Sequence, residues 1–150
     1  MVEAIRQTLI DTPGVLGLHE LRTRKMADQA LVDAHVLVDP KISVSEGHYI
    51  AETARHRVLK QHDVLDVMVH IDPEDDAKAK PSAHLPDRKQ LLRRLEHSLQ
   101  GTLPATEKVV LHYLSGQVEA EIFLPHAFCI QPEKLKALKA AAEKLLDEDT

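Results

Sequence analysis

The chain has 150 residues and a formal net charge of −5 at neutral pH, from 24 acidic and 19 basic side chains. This charge and the scarcity of aromatic residues argue against a nucleic-acid partner, because such a protein needs a basic face for phosphates and rings that stack on bases. The single cysteine, Cys129, excludes an internal disulfide framework and is typical of a reducing compartment. No apolar run is long enough to cross a bilayer, so the composition predicts a cytoplasmic protein.

The first half of the chain predicts a helix, two strands, a helix and a strand. Apolar spacing and turn residues give a helix over 2–10, strands over 15–24 and 30–39, a helix over 43–61 and a strand over 64–72. Ser43 and Glu46 have the spacing of a capping box at the start of the second helix. The two adjacent strands are expected to form a hairpin.

The second half repeats part of this order. Residues 74–86 are rich in Asp, Lys, Ala and Pro and predict an exposed linker between domains at 1–73 and 87–150. A helix capped by Asp87, a hairpin around Ser115-Gly116 and a helix after Pro132 follow. The fold class is therefore predicted as α+β, with an αββαβ domain and a second, partial αββα copy. Because the copy has no equivalents of the candidate ligands described next, a structural or interaction role is expected for it.

Strand alternation assigns candidate metal ligands to one face of the first sheet. A small sheet with helices on one side puts its apolar side chains against those helices. His35, His70 and Asp72 alternate with the apolar residues of their strands, so they are expected on the free face. The residues expected on the core face include Leu16, Leu18, Val32, Ala34, Val36, Leu65, Val67, Val69 and Ile71.

His19 is placed on the same free face, together with Val15 and Leu21, by the core assignment of Leu16 and Leu18. Three imidazoles and one carboxylate suit zinc and other divalent metals of similar chemistry. The same face would also carry Met68 and Leu37, which makes it too apolar to remain exposed to solvent. A second copy of the sheet would cover it and form a two-fold dimer with metal near the interface.

His48 is expected on the outer side of the second helix, from which it cannot reach the free face of its own sheet. It is a ligand only if it belongs to a neighbouring subunit's site, and its spacing equally predicts a solvated histidine. No phosphate-binding glycine loop, nucleophile elbow or HExxH motif is present, so no catalytic residue is predicted and the chain is not expected to be an enzyme.

Four motifs follow one another in the first half: Gly17-Leu18-His19-Glu20-Leu21-Arg22-Thr23-Arg24-Lys25, Val32-Asp33-Ala34-His35, Glu46-Gly47-His48 and Val69-His70-Ile71-Asp72-Pro73. At these motifs, over about residues 2–74, the chain resembles the cytoplasmic C-terminal domain of cation diffusion facilitator (cation efflux) transporters. The resemblance implies a metallochaperone-like, ferredoxin-like αββαβ domain that dimerises and binds divalent cations, typically Zn²⁺, at and near the dimer interface. It further implies that the domain regulates a metal/proton antiporter.

The resemblance also implies roles for single residues. His19, His35, His70 and Asp72 match the family's cytoplasmic metal ligands, and His48 matches the helix histidine that the partner subunit donates. The segment with Arg22 and Arg24 matches the part that faces the membrane domain. The transmembrane half, with the transport site, is absent from this chain, so the chain alone is not expected to transport.

The resemblance therefore implies that the chain is the dimerising, metal-sensing cytoplasmic part of an exporter, with a second copy of the chain and the transporter's transmembrane domain as partners. The donors accept Zn²⁺, and also Co²⁺, Ni²⁺, Cd²⁺ or Fe²⁺. Two alternatives stay open. One is a free-standing metal buffer or chaperone, and the other is a ferredoxin-like module that senses an organic ligand or only self-associates.

Overall fold

The chain divides into two compact units, Met1–Lys80 and Pro81–Thr150, in a computed structural model. The structure describes residues 1–105 and 108–148. Positions 149 and 150, with which the predicted second domain ends, lie outside the described residues. Within the described part of the chain, no helix combines the length and the apolar character needed to cross a bilayer.

The first unit has the predicted αββαβ order and is α+β. Its elements are α1 (Val2–Ile10), β1 (Gly17–Met26), β2 (Gln29–Leu37), α2 (Val44–Gln61) and β3 (Val64–Asp72). The strands form one sheet in the order β1-β2-β3. β1 pairs antiparallel with β2 through a tight hairpin, and β3 pairs parallel with β2 because α2 carries the chain back across the sheet.

Local sequence explains where these elements turn and begin. The hairpin turn lies at Ala27 and Asp28, between the paired residues Met26 and Gln29, and Ala27 has a positive φ of 54°. Ser43 caps α2, since its side-chain oxygen accepts the backbone N–H of Glu46 at 3.1 Å.

The core of the first unit lies between one face of the sheet and the two helices. β2 alternates between buried and half-buried residues along its whole length, as a strand does when one face is covered. The buried cluster takes residues from both helices and all but the first strand: Ile5, Leu9, Ala30, Val32, Ala34, Ala54, Val58, Val64 and Val67. The intervening side chains of β2, among them Asp33 and His35, therefore lie on the opposite, free face.

β1 contains a bulge at His19 that changes the predicted faces of its neighbours. Leu18 pairs with Val36 and Glu20 pairs with His35, so His19 is an extra residue that has no pairing partner in β2. After the bulge the alternation restarts, and Leu21 packs against the core cluster. The predicted position of Leu21 on the free face is therefore wrong.

β3 contains a second irregularity with the same effect. Val64 pairs with Ala30 while Asp66 pairs with Leu31, which leaves Leu65 as the extra residue. Val64 is buried and Leu65 is 48% exposed, so the core assignment of Leu65 is wrong. The core assignment of Leu16 is also wrong, because this residue precedes β1 and is 71% exposed.

The second unit contains α3 (Arg88–Ser98), β4 (Lys108–Leu114), β5 (Gln117–Phe123), a short α4 (His126–Cys129) and α5 (Pro132–Glu148). The two strands form an antiparallel hairpin whose turn residues Ser115 and Gly116 both have positive φ. The buried residues of the second unit, among those described, are Leu99, Phe128 and Leu138, and half-buried side chains surround them. Relative to the predicted helix, hairpin and helix, α4 is an addition.

Candidate metal centre

Asp72 joins two of the predicted ligands on the free face of the sheet. Its Oδ2 atom lies 2.8 Å from His19 Nε2 and 2.9 Å from His35 Nδ1. The side chains are 17%, 13% and 27% exposed for Asp72, His19 and His35, so the contact is partly shielded from water. One ligand atom from each residue lies within 4.8 Å of the other two, a spacing that could hold a metal ion.

Each strand contributes one member of this trio. His19 is the bulged residue of β1, His35 lies within β2, and Asp72 is the last residue of β3. The backbone fixes the end of β3, because Asp72 O accepts the N–H of Val38 at 3.1 Å. The trio therefore depends on the bulge and on the parallel pairing together.

His70 and Asp33 form a second group that shares His35. His70 is the cross-strand neighbour of His35 in the β2–β3 register, and their rings stack with centroids 4.4 Å apart. His70 Nε2 lies 3.3 Å from Asp33 Oδ1. That oxygen is buried and has no hydrogen-bond partner within the described chain. Asp33, His35 and His70 again offer three ligand atoms within 4.8 Å of one another. We call the five residues of the two groups the ligand cluster.

Asp33 was not singled out by the sequence as a ligand, although a signal was available. It lies two residues before His35 in a strand, and residues at that spacing point to the same face. An unpartnered buried carboxylate oxygen is costly unless a cation or donor satisfies it. Its chemistry fits the divalent cation that the imidazoles also suit.

Two further carboxylates lie at the rim of the ligand cluster. Glu20 Oε2 is 3.8 Å from His35 Nε2, and Glu20 is also paired with Arg22. Asp75 Oδ1 is 3.7 Å from His19 Nδ1, and Asp75 Oδ2 is 2.9 Å from Lys78 Nζ. The hydrogen bond from Lys78 holds the pKa of Asp75 below its ordinary value, and the carboxylate in turn raises the pKa of Lys78.

The remaining predicted site residues lie away from the cluster. His48 is exposed on α2 and belongs to neither group of ligand atoms. It follows Gly47, which is buried against β3: a Cβ at Gly47 would clash with Ile71 Cδ1. Arg22 and Arg24 are exposed on β1 and line an open pocket of about 250 Å³.

The second unit contains a contact between a histidine and a carboxylate on neighbouring strands. His112 Nε2 lies 2.9 Å from Glu121 Oε1 across the β4–β5 hairpin. Both groups of three ligand atoms identified among residues 1–105 and 108–148 lie in the first unit. Cys129 is exposed in the second unit and belongs to neither group.

Comparison with known proteins places the similarity in the first unit. Residues 1–74 match the family profile "Cation efflux protein, cytoplasmic domain". Metal tolerance protein C1 of Arabidopsis thaliana is 41% identical over 73 residues, which are 48% of this chain and 16% of that protein. The cation-efflux pump FieF of Yersinia pestis is 35% identical over 72 residues, which are 45% of this chain and 24% of the pump. The chain therefore spans between a sixth and a quarter of the length of these curated relatives.

Among solved structures, a manganese form of a MamM CTD variant is 26% identical, with a TM-score of 0.46. The match covers 48% of this chain and 92% of that one.

Proposed function

Because residues 1–74 belong to the family of cation efflux protein cytoplasmic domains, we propose that this chain is the divalent-cation-binding, dimerising and regulatory part of a metal/proton antiporter. Zn²⁺ is the proposed physiological cation, with Co²⁺, Ni²⁺, Cd²⁺ and Fe²⁺ as competitors for the same donors. The transporter's transmembrane domain and a second copy of the chain are the proposed partners.

The observation that carries this proposal is the position of Asp72 Oδ2 between two imidazole nitrogens from two other strands. Ordinary surface histidines on one sheet face need not converge on a single atom. A carboxylate between imidazoles is a donor set that zinc accepts. The buried Asp33 Oδ1, which accepts no hydrogen bond from the described residues and lies 3.3 Å from His70 Nε2, supports a need for positive charge in the neighbouring group.

The side chains would act as follows when a cation is bound. His19, His35 and Asp72 would hold one cation, and Asp33 and His70 would provide the donors of the second group. The imidazoles must be neutral to donate a lone pair, so cation binding weakens as the solution becomes more acidic. The bound cation supplies positive charge that neutralises the carboxylates on the free face.

A second subunit is proposed to complete the site. Met68 is 59% exposed on the free face, and the exposed His48 lies on α2, where it could serve only a neighbouring site. A partner sheet would cover the free face and bring the partner's histidine to the cluster. Only differential affinity can shift a protein between two arrangements, so the cation would regulate the transporter by binding one dimer arrangement more tightly.

Calorimetric titration of Zn²⁺ into the metal-free chain at pH 7.5 tests cation binding. We expect saturable binding by the wild type and its loss in the His35→Ala/Asp72→Ala double variant. His56→Ala is the matched control, because His56 is exposed on α2 and belongs to neither group. Equal binding by the double variant and the control would contradict the proposed site.

Sedimentation of the same protein in chelator and in Zn²⁺ tests the coupling to dimerisation. We expect a tighter or more compact dimer with Zn²⁺, and no such change in the double variant. A dimer with the same affinity and shape in both conditions would contradict a regulatory role for the cation.

A further inference from the structure

We propose that Asp75 is a positioning residue for the cation site: when a cation takes the place of the proton on His19 Nε2, Asp75 accepts the proton on Nδ1 and so holds the ring with its Nε2 lone pair toward the cation. This inference rests on the proposed function, since it assigns a role toward the same cation. It adds a residue that lies beyond β3, within the segment predicted from sequence as a linker.

The two ring nitrogens of His19 face two different carboxylates. Nε2 lies 2.8 Å from Asp72 Oδ2, and Nδ1 lies 3.7 Å from Asp75 Oδ1. A neutral imidazole carries one N–H and one lone pair. In this structure the 2.8 Å contact with Asp72 requires the proton on Nε2, because an ionised carboxylate only accepts hydrogen bonds, and Nδ1 then carries the lone pair.

A cation at the trio needs the lone pair of Nε2, the nitrogen that faces His35 and Asp72. The proton must then be on Nδ1, where Asp75 Oδ1 is within reach as its acceptor. The present separation of 3.7 Å is longer than a hydrogen bond, so Asp75 makes no hydrogen bond to the ring in this structure. Metal-bound histidines generally donate their other N–H to a carboxylate or carbonyl, which sets the tautomer and the ring orientation.

Asp75 is held in place independently of His19. Its Oδ1 atom accepts the backbone N–H of Ala77 at 3.1 Å, and its Oδ2 atom accepts from Lys78 Nζ at 2.9 Å. Its backbone oxygen also accepts the N–H groups of Lys78 and Ala79 at 2.9 and 2.8 Å. The Asp75 side chain is 17% exposed. The carboxylate is therefore fixed before any cation binds, which is what a positioning group requires.

Zinc affinity of the full chain, measured by competition with a chromophoric chelator, tests this role. We expect Asp75→Ala to weaken Zn²⁺ binding about 10-fold or more without changing the stoichiometry, the range typical for lost outer-shell partners of metal ligands. Asp75→Asn, which keeps an acceptor oxygen, should restore part of the affinity. The matched control is Asp76→Ala, since Asp76 is the adjacent, exposed carboxylate. Equal affinities of Asp75→Ala and Asp76→Ala would overturn the inference.

Two spectroscopic measurements separate positioning from direct ligation. In the Zn²⁺-loaded wild type, long-range ¹⁵N–¹H spectra of the His19 ring should show the proton on Nδ1 and the metal on Nε2; the reverse assignment would overturn the inference. The Co²⁺-loaded Asp75→Ala protein should keep the absorption bands of the wild type. A changed spectrum would make Asp75 a ligand and overturn the positioning role. Failure of the wild type to bind Zn²⁺ would instead overturn the proposed function itself.

Discussion

Asp72 is the residue on which the other two candidate ligands of the first group converge. Its Oδ2 atom contacts nitrogens of His19 and His35. A polar group that loses its partner in a partly buried place costs about 1–3 kcal/mol.

We therefore expect Asp72→Ala to lower the free energy of unfolding of the metal-free protein by about 1–3 kcal/mol. Urea denaturation in the presence of a chelator measures this change. Asp76→Ala is the control and should lie within about 0.5 kcal/mol of the wild type, as for most surface substitutions. An Asp72→Ala protein as stable as the wild type would mean that the two imidazole contacts contribute nothing without metal.

Gly14 is a second residue whose identity the structure requires. It lies between α1 and β1 with a φ of +90°, and a Cβ there would lie 2.6 and 2.8 Å from Ile50 Cδ1 and Cγ1. Both the backbone conformation and the close approach to α2 favour glycine.

We expect Gly14→Ala to lower the free energy of unfolding by about 1–3 kcal/mol, through left-handed strain and overpacking together. The Gly14→Ala/Ile50→Val double variant should recover part of this loss, because valine lacks the Cδ1 atom. Chemical denaturation of both variants and of Ile50→Val alone measures the interaction energy. Additive effects would show that overpacking against Ile50 plays no part.

At the scale of the strands, alternation predicted the faces of His35, His70 and Asp72 but not those of all apolar residues. β2 is regular, so period-two alternation holds along its length. β1 and β3 each contain one extra residue. In both strands, core-facing residues then lie three positions apart: Leu18 and Leu21 in β1, and Val64 and Val67 in β3. That spacing of three is the signal of the extra residues, whereas unbroken alternation places Leu21 and Leu65 on the wrong faces.

The contact between Arg55 on α2 and Asp66 on β3 gives a prediction about pH. Asp66 Oδ1 accepts the backbone N–H of Val67 at 2.8 Å and a hydrogen bond from Arg55 at 2.9 Å. These two interactions hold the pKa of Asp66 below its ordinary value of 3.8. Because the pKa of Asp66 is lower in the folded state, its interactions with Val67 and Arg55 stabilise the fold at pH values above its ordinary pKa. This stabilisation is lost as pH falls through the folded pKa.

We expect the carboxyl ¹³C resonance of Asp66 to titrate with a midpoint below 3.8, and Arg55→Gln to move that midpoint part of the way upward. The shift should be partial, since the Val67 N–H remains. Arg57→Gln is the control on the same helix: Arg57 donates to Asp11 O rather than to Asp66. An unchanged midpoint in Arg55→Gln would contradict a contribution from the guanidinium.

At the scale of the whole molecule, the sequence predicted the αββαβ order and a division of the chain, while the extent of the first unit needed the structure. The first unit continues to Lys80. Residues 74–86 have no apolar periodicity, so their composition alone predicts a linker. The contacts of Asp75 with His19 and Lys78 depend on the path of the chain after Pro73, which no local pattern specifies.

Because the first unit continues to Lys80, two truncated chains should differ in their affinity for Zn²⁺. A chain of residues 1–80 should fold and bind Zn²⁺ with the affinity of the full chain, because it retains the ligand cluster and Asp75. A chain of residues 1–73 should keep the ligands but bind about 10-fold or more weakly. Circular dichroism verifies folding and chelator competition measures affinity. Weak binding by residues 1–80 would assign the second unit a part in the site.

The separation of the candidate ligands along the chain has a consequence for biosynthesis. His19 and Asp72, which meet at 2.8 Å, are 53 residues apart. Chains emerge from the ribosome amino terminus first, so the hairpin of β1 and β2 is made while the carboxylate is still to be translated. A nascent hairpin offers the imidazoles of His19 and His35 without their shared oxygen. If the proposed function holds, the complete site forms only once β3 has joined the sheet, and cation capture then waits until the first unit has folded.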